Sequence, residues 1–534
     1  MKNTLIIYIL IILTITITIV ACSQFYNFRN NYKNVNSLIH DTKNLKTKPF
    51  LKAHLINGNV CIYSDTWKID TIQNRVTGKG KIFDYTRYFY YEGNISTPID
   101  SVAIFETNRK IENPESGRIT ALVIFAAVDI VIGIVCISNP KACFGSCPTF
   151  YINENDNFHY ADAEGFSSSI APWMECYDID ALNNKKISGD YFSITMKNEA
   201  LETHCVKEVK LLAYPRKNGE RIYHSPKDEF FLCENIYPIK NAKANEGDVT
   251  NLFLYDDRKE RFSLADDNNL NTKEEIYLTF DHINLTKDLG LIINFRQTLM
   301  STYFLYSALG YMGDEVTDFL AKTREDYFYK DKLENGIQKL LGNIDVYFWN
   351  EQTYNWEFQG GFFETGPIAI NRQILPLHNY SNGSKIKIKL RINKGLWRID
   401  YIALTNIKSK VKPFEIAPKL ILNKGKIDSS ALIAMNNPKK YLISMPGSLY
   451  KFIFMLPNPN EDYELFLYSK GYYLEWIREN WLKDKDLVKL KCMFDEPEIY
   501  LKNEAKNYKR YETSMEIDFW NSKINTNSFS YYGN

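Results

Sequence analysis

The sequence predicts an α+β protein that is mostly antiparallel β, with several β domains or sandwiches, a helical insert and a C-terminal helix. Short segments rich in β-branched and aromatic residues recur along the chain, and turn signals such as Asn57-Gly58 separate them. Apolar residues at helical spacing begin after residue 290. A chain of 534 residues is also too long for one hydrophobic core.

The composition favours packed domains and gives no reason to expect a nucleic-acid partner. Hydrophobic residues make up 45% of the chain, with 37 Tyr and 32 Phe, which supports large cores. The formal net charge is only +1, and acidic and basic residues are interspersed. A nucleic-acid-binding protein usually carries a concentrated basic surface.

The N-terminus has the pattern of a targeting segment. Residues 1–21 are predicted to be a signal peptide, because Lys2 precedes an apolar run that ends in Ile19-Val20-Ala21-Cys22. Cys22 is the predicted lipidation site, and residues 22–50 are predicted to be a lipidated N-terminus and polar tether. The protein is then lipid-anchored in the cell envelope, with the membrane as a partner. The alternative is ordinary cleavage, which gives a soluble secreted protein.

Two segments follow the tether. Residues 51–118 are predicted to be a small β domain, with strands at 60–63, 81–91 and 99–107. Residues 119–139 form an apolar segment, of which 119–137 would be long enough as a helix to cross a bilayer. Asp129 in its middle would cost roughly 3 kcal/mol to insert. Both a membrane span and a buried or membrane-apposed element therefore stay open.

The rest of the chain divides by its pattern into four parts. The predicted parts are a Cys-motif β domain (140–290), a helical insert (291–342), a β-sandwich (343–460) and a C-terminal helix and tail (461–534). The insert should contain helices at 294–309 and 331–341, and the last part a helix at 472–482. Alternating strands are predicted at 344–349, 354–358, 385–391 and 397–404.

The Cys-Phe-Gly-Ser-Cys-Pro segment brings two thiols close together. Gly145 permits a tight turn and Pro148 fixes a backbone angle, so Cys143 and Cys147 can approach disulfide distance. An exported address favours a disulfide. Free thiols and a redox or metal role are the alternatives, although redox pairs use Cys-x-x-Cys at a helix N-terminus.

No catalytic residue, metal site or cofactor is predicted. Cys143, Cys147 and Cys176, with His159 or His204, contain enough ligands for zinc, but their spacing matches no common zinc motif. Glu199, Glu202 and His204 are neighbours in NEALETH, yet the chain lacks His-Glu-x-x-His. No phosphate-binding loop, dinucleotide-binding glycine pattern or Gly-x-Ser-x-Gly motif occurs either.

Tryptophans in the predicted sandwich are the candidate ligand-binding residues. Trp349, Trp356 and Trp397 lie in alternating strands, and exposed Trp side chains on a sandwich face stack on sugar rings or peptides. Packing in the core is the alternative for each of them.

Several segments together carry a resemblance. CFGSCPTFY, AEGFSSSIAPWMECYDIDAL and NEALETH, with NFRQTLMSTYFLYSALGYMG, GFFETGPIAI, KGLWRIDYIAL and KGYYLEWIRENWL, resemble a family of exported bacterial lipoproteins with a Cys-Phe-Gly-Ser-Cys-Pro motif. The resemblance covers about residues 100 to 485. It implies an exported, anchored protein and brings no activity, ligand or site residue.

Two functions follow from the sequence. The favoured one is a cell-envelope lipoprotein with a non-catalytic binding or structural role, whose partner is a glycan or an envelope protein. The alternative is an exported hydrolase or thiol-dependent enzyme with a site around the Cys motif. A cleft that groups His204 with Cys or Glu side chains of shifted pKa would indicate the enzyme. A flat face of exposed aromatic rings would indicate binding.

Overall fold

A computed structural model describes most of the chain. The described residues are 26–32, 35–43, 45, 48–55, 59–64, 66–83, 89–111, 147–152, 161–187, 189–200, 202–284, 288–313, 336–363, 366–381, 383, 385–475, 484–523 and 526. The predicted signal peptide, Cys22, the apolar segment 119–137, Cys143 and His159 lie outside them. The chain divides into two compact units, one of Met1–Ser138 with Arg478–Lys483 and Ser530–Asn534, the other of Asn139–Ile477 with Asp484–Phe529.

The first unit is an antiparallel sheet with one helix. Its elements are β1 (Tyr26–Tyr32), α1 (Val35–Thr42), β2 (Phe50–Leu55), β3 (Val60–Tyr63), β4 (Lys68–Asp70), β5 (Arg75–Phe83), β6 (Phe89–Pro98) and β7 (Val102–Ile111). Over the described residues the strand order is β1-β7-β2-β3-β5-β4, with β6 paired to β5. Leu38 of α1 joins a core with Trp67 and Phe105. The predicted tether is therefore wrong in part, since β1 pairs with β7 along its full length.

The second unit contains the remaining strands. They are β8 (Thr149–Tyr151), β9 (Ala163–Glu164), β10 (Cys176–Ile187), β11 (Tyr191–Lys197), β12 (Glu202–Pro215), β13 (Glu220–His224), β14 (Phe230–Pro238), β15 (Asn241–Ala244), β16 (Gly247–Asp248), β17 (Lys273–Phe280), β18 (Asp288–Gln297), β19 (Ile344–Asn350), β20 (Asn355–Phe362), β21 (Asn371–Leu377), β22 (Ile386–Asn393), β23 (Trp397–Val411), β24 (Phe414–Ile416), β25 (Leu420–Asn423), β26 (Lys426–Ile427), β27 (Leu442–Ser444), β28 (Leu449–Met455) and β29 (Tyr463–Glu475). Its helices are α2 (Met300–Met312), α3 (Ile337–Leu341), α4 (Ser429–Met435), α5 (Leu487–Asp495), α6 (Pro497–Lys509) and α7 (Met515–Ser522).

These strands form four sheets in the described part of the unit. The first has the order β10-β29-β12-β24, with β27 also on β12, and the second the order β26-β25-β28-β11-β8-β9. The third is a closed barrel with the strand order β13-β14-β23-β18-β21. The fourth, with the order β16-β15-β17-β22-β19-β20, is called sheet F below. The predicted α+β class, mostly antiparallel β, is confirmed.

The predicted sandwich at 343–460 is not a separate body. Its strands β19, β20 and β22 belong to sheet F, where β22 pairs along its length with β17 from the predicted Cys-motif domain. Strand β23 lies between β14 and β18 in the closed barrel. A fragment of residues 344–456 would lose both neighbours, so it is not expected to fold alone.

Two predicted helices are wrong in part. Residues 294–297 belong to β18, and the helix runs instead over Met300–Met312. The predicted helix at 472–482 begins inside β29, which pairs with β10 as far as Gly471 and with β12 as far as Glu475. Tyr472 and Tyr473 are both buried, so this apolar sequence reflects a buried strand rather than helical periodicity. None of the described helices is both long and apolar enough to cross a membrane.

Candidate functional site

One face of sheet F carries a layer of aromatic rings. In β19 the side chains of Ile344, Val346 and Phe348 are buried, and in β22 those of Ile386, Ile388, Leu390 and Ile392. Since side chains alternate along a strand, the residues between them point to the opposite face. That face presents Tyr277 of β17, Tyr347 and Trp349 of β19, and Trp356 and Phe358 of β20. These five rings are called the aromatic platform.

Cross-strand pairing sets the rings side by side. Trp349 lies directly opposite Trp356, and Tyr347 opposite Phe358. The ring centroids are 5.2 Å apart in the first pair and 5.4 Å in the second. Tyr277 reaches the same group, with its centroid 5.8 Å from Trp356. Phe358 is 60% exposed and Tyr277 43%, while the other three are half-buried. The planes of the paired rings are inclined to one another by 56–64°, so the five rings form a contiguous but uneven aromatic surface on one side of the sheet.

Charged groups of both signs lie among the rings. The Nζ atom of Lys389 is 4.9 Å from the Tyr347 centroid and 5.5 Å from that of Trp356. It also lies 2.8 Å from Oε1 of Glu275, and the other carboxylate oxygen, Oε2, accepts a hydrogen bond from the hydroxyl of Tyr277. The bonds from Lys389 and Tyr277 lower the pKa of Glu275. The ammonium of Lys387 is 5.6 Å from the ring of Trp349. The platform therefore offers hydrogen-bonding groups beside open ring faces.

The three predicted ligand-binding tryptophans separate into two groups. Trp349 and Trp356 are on the platform, half-buried, with partner rings. Trp397 at the start of β23 is only 2% exposed and packs on Phe295, with a centroid distance of 5.8 Å. The interpretation of Trp397 as a ligand-binding residue is therefore wrong. Its strand, β23, is part of the closed barrel, and the Trp397 side chain is in the core.

Cys147 of the Cys motif is buried and hydrogen-bonded to a carboxylate. Cys147 is a free, buried thiol, and its predicted disulfide partner Cys143 lies outside the described residues. Its Sγ–H donates to Oε1 of Glu164 over 3.2 Å. Burial, and then the charges of Glu164 and Glu202, raise the pKa of Cys147 well above its usual range. A thiol held protonated is a poor nucleophile.

Glu164 is the centre of this buried group. Its Oε2 accepts from the backbone N–H groups of Ile368 (2.5 Å) and Ala369 (2.9 Å). The backbone comes so close that a Cβ at Gly366 would lie 2.0 Å from Oε1. Burial raises the pKa of Glu164, against the opposing effect of its hydrogen-bond donors. Cys147, Glu164 and these two backbone amides are called the Glu164 cluster.

The other candidate ligands point elsewhere. His204 and Glu202 are fully buried and bonded to each other over 2.8 Å. Glu199 accepts from Thr149, Tyr151 and Lys523 instead. The side chain of Cys176 lies 2.8 Å from the hydroxyl of Ser169. Among the described residues, no group of three or more His, Cys, Asp and Glu side chains is placed to hold a metal ion.

The pKa of Glu199 shows that it acts as an ion-pair partner. Burial alone would raise this pKa, but the charge of Lys523 and the hydrogen bonds to the carboxylate outweigh burial and lower it. Burial in turn lowers the pKa of Lys523, despite the opposing effect of Glu199. The two side chains thus stabilise each other inside the unit.

Sequence reasoning missed most of the platform. Tyr277 lies in β17, about 70 positions before its ring partners, and only sheet pairing brings it to them. Tyr347 and Phe358 alternate with apolar residues, which is a readable signal for an outward-facing position. No sequence pattern indicated Glu164, because its hydrogen-bond partners are backbone amides some 200 residues away.

Comparisons with known proteins place the chain in no family. No protein-family model and no curated protein matches it. One solved structure with some likeness is the GH31 alpha-xylosidase (Xac1773) from Xanthomonas citri. The alignment has 7% identity and a TM-score of 0.16, and it covers 78% of this chain and 36% of that one. A likeness this weak carries no argument.

Proposed function

We propose that the protein is a non-catalytic binding protein and that the aromatic platform binds a glycan. The observation that carries this is the set of five aromatic rings on the open face of sheet F, from Tyr277 to Phe358. Soluble proteins rarely leave a contiguous apolar patch open to water without a partner. The platform supplies such a patch on a rigid sheet rather than on a loop.

The chemistry of the face favours a sugar over a protein partner. A sugar ring has an apolar C–H face, which stacks on an aromatic ring, and a rim of hydroxyls, which needs donors and acceptors. Lys389 and Glu275 supply both among the rings. Lys389 and Glu275 neutralise each other, and Lys387 adds a positive charge beside Trp349, so the platform suits a neutral glycan better than a cationic one. A protein interface would typically have its charges at a rim around an apolar centre.

A glycan screen of the full chain tests the proposal. The protein is applied to an array of neutral and anionic oligosaccharides, and each hit is titrated by calorimetry. We expect neutral chains of several sugar units to bind, since the platform is several rings wide. Binding only to envelope proteins in a pull-down, with no glycan retained, would replace the glycan by a protein partner.

We further propose that Cys22 is acylated and anchors the chain in the cell envelope. The support is the apolar run that ends at Ala21-Cys22. Cys22→Ala is expected to release the protein from the membrane fraction without changing glycan binding by the solubilised protein. Membrane retention of the variant at an unprocessed mass would contradict the anchor.

A further inference from the structure

The sheet with the order β26-β25-β28-β11-β8-β9 has aliphatic side chains on its outer face, near the β25–β26 hairpin. Ile421 of β25 is fully buried, as are Phe452 and Phe454 of β28. Since side chains alternate along a strand, the residues between them face outward. Five aliphatic side chains on this outer face are called the hairpin patch: Leu420, Leu422, Ile427, Ile453 and Met455.

Strand pairing makes the hairpin patch contiguous. Leu422 lies directly opposite Ile427, and Leu420 opposite Ile453. Met455 follows Ile453 two residues along β28. Ile427 is 68% exposed and Met455 51%, while the other three are half-buried. A contiguous apolar patch that is open to water typically marks an interaction surface.

Lysines surround the patch at its hairpin end. Residues 412–451 contain seven lysines, two acidic residues and neither Arg nor His. Lys419, Lys424 and Lys426 are exposed, and each lies within two positions of a patch residue. Within the described residues, none of these three lysines has an ion-pair partner. Lys451 lies opposite Leu422 on the outer face. The hairpin end therefore joins apolar surface to positive charge.

The acidic residues of this region do not cancel that charge at the hairpin end. Glu415 is paired with Lys210 over 3.1 Å, and the Asp428 side chain caps the N-terminus of α4. Asp190 is exposed at the other end of the patch, next to the residue that pairs with Met455. The charge thus gives the patch a direction, with its positive end at the hairpin.

This combination of groups distinguishes between partners. A second copy of the chain would place lysines against lysines, and like charges repel. A soluble polyanion would pair with the lysines but leave the Ile427 side chain in water. An anionic lipid surface offers phosphates to the lysines and an acyl boundary to the aliphatic side chains.

We propose that the hairpin patch docks on an anionic lipid surface. Ile427 and Leu422 enter the boundary between head groups and acyl chains, and Lys424 and Lys426 lie at the lipid phosphates. This contact involves neither the aromatic platform nor Cys22, so it stands apart from the glycan and anchor proposals.

Lysine labelling on vesicles tests the docking. The full chain is mixed with vesicles of phosphatidylcholine, either alone or with an equal amount of phosphatidylglycerol. It is then acetylated by sulfosuccinimidyl acetate, and the rate at each lysine is read by mass spectrometry. The rates at Lys424 and Lys426 should fall about threefold or more on the anionic vesicles only. Lys502 and Lys506, exposed on α6, are internal controls and should keep their rates.

Three results of this labelling would overturn the proposal. They are equal rates at Lys424 and Lys426 on the two kinds of vesicle, an equal fall at all four lysines, and protection by soluble polyphosphate but not by vesicles. The last result would replace the lipid by a soluble polyanion.

A matched pair of variants tests the apolar contact. Ile427→Ser should remove most of the protection of Lys424 and Lys426, because it deletes the most exposed aliphatic side chain of the patch. Ile72→Ser is the control, since Ile72 is 97% exposed and belongs neither to the hairpin patch nor to the aromatic platform. It should keep the native protection. Both variants retain Cys22, and thermal melts verify their folding. Native protection in folded Ile427→Ser, or an equal loss in Ile72→Ser, would contradict docking through the hairpin patch.

Discussion

The aromatic platform and the Glu164 cluster differ in whether their side chains face water or are bonded within the protein. The platform is one face of strands whose side chains alternate, whereas the cluster joins Cys147, Glu164 and two backbone amides from separate segments. In the Glu164 cluster, each carboxylate oxygen accepts hydrogen bonds from within the protein. On the platform, Phe358 and Tyr277 leave much of their surface to water. Shifted pKa values therefore mark structure here, and open aromatic surface marks the proposed function.

The largest expected difference in the free energy of unfolding is between variants of two tryptophans. Trp397→Ala should lower the free energy of unfolding by about 3–5 kcal/mol, since it empties a buried site. Trp356→Ala, on the half-open platform, should cost less than about 1 kcal/mol, as surface changes usually do. Urea unfolding of both variants gives the comparison. Similar losses would mean that the platform belongs to the core.

Substitution of Glu164 should give the next largest loss of stability. Glu164→Ala leaves the amides of Ile368 and Ala369 without an acceptor, which should cost about 3 kcal/mol at about 1–3 kcal/mol for each group. Glu164→Gln keeps an acceptor and is the control, with a smaller loss. A stable Glu164→Ala variant with lost activity toward some substrate would turn the cluster from a structural into a chemical site.

A smaller effect is expected from pH. Burial, and then the charge of Glu164, raise the pKa of Asp178 from 3.8 to about 7. A carboxyl with a raised pKa contributes stability below its unfolded value, and this is lost as pH rises toward the folded value. Between pH 4 and 8 the native chain should therefore lose about 1 kcal/mol relative to Asp178→Asn, allowing for partial exposure.

An exposed carboxylate supplies the control for this pH series. The hydrogen bonds from Thr250 lower the pKa of Asp248. Its stabilising contribution is complete above its unfolded pKa of 3.8 and is lost only at lower pH, so the stability difference between the native chain and Asp248→Asn should stay nearly constant from pH 4 to 8. Thermal melts across the range measure both variants. A native chain that gains stability relative to Asp178→Asn at high pH would contradict the raised pKa.

The local sequence pattern predicted the positions of strands better than it predicted which strands pair with each other. The expected strands at 344–349 and 385–391 are close to the observed Ile344–Asn350 and Ile386–Asn393, because alternation depends only on neighbouring residues. The domain boundaries failed because β17 and β22, more than 100 residues apart, form one sheet. For the same reason the sequence indicated Trp349 and Trp356 but not Tyr277. Whether Trp397 faces solvent or core depends on which strands surround it, which no local pattern contains.

Calorimetry of two aromatic-to-alanine variants tests the platform most directly. Trp356→Ala should weaken binding of the best neutral oligosaccharide about tenfold, since a stacked ring contributes about 1–1.5 kcal/mol. Tyr191→Ala removes a ring that is 61% exposed on β11, outside the platform, and should bind like the native chain. Both variants should melt within a few degrees of the native protein. Native affinity in Trp356→Ala, or an equal loss in Tyr191→Ala, would contradict glycan binding at the aromatic platform.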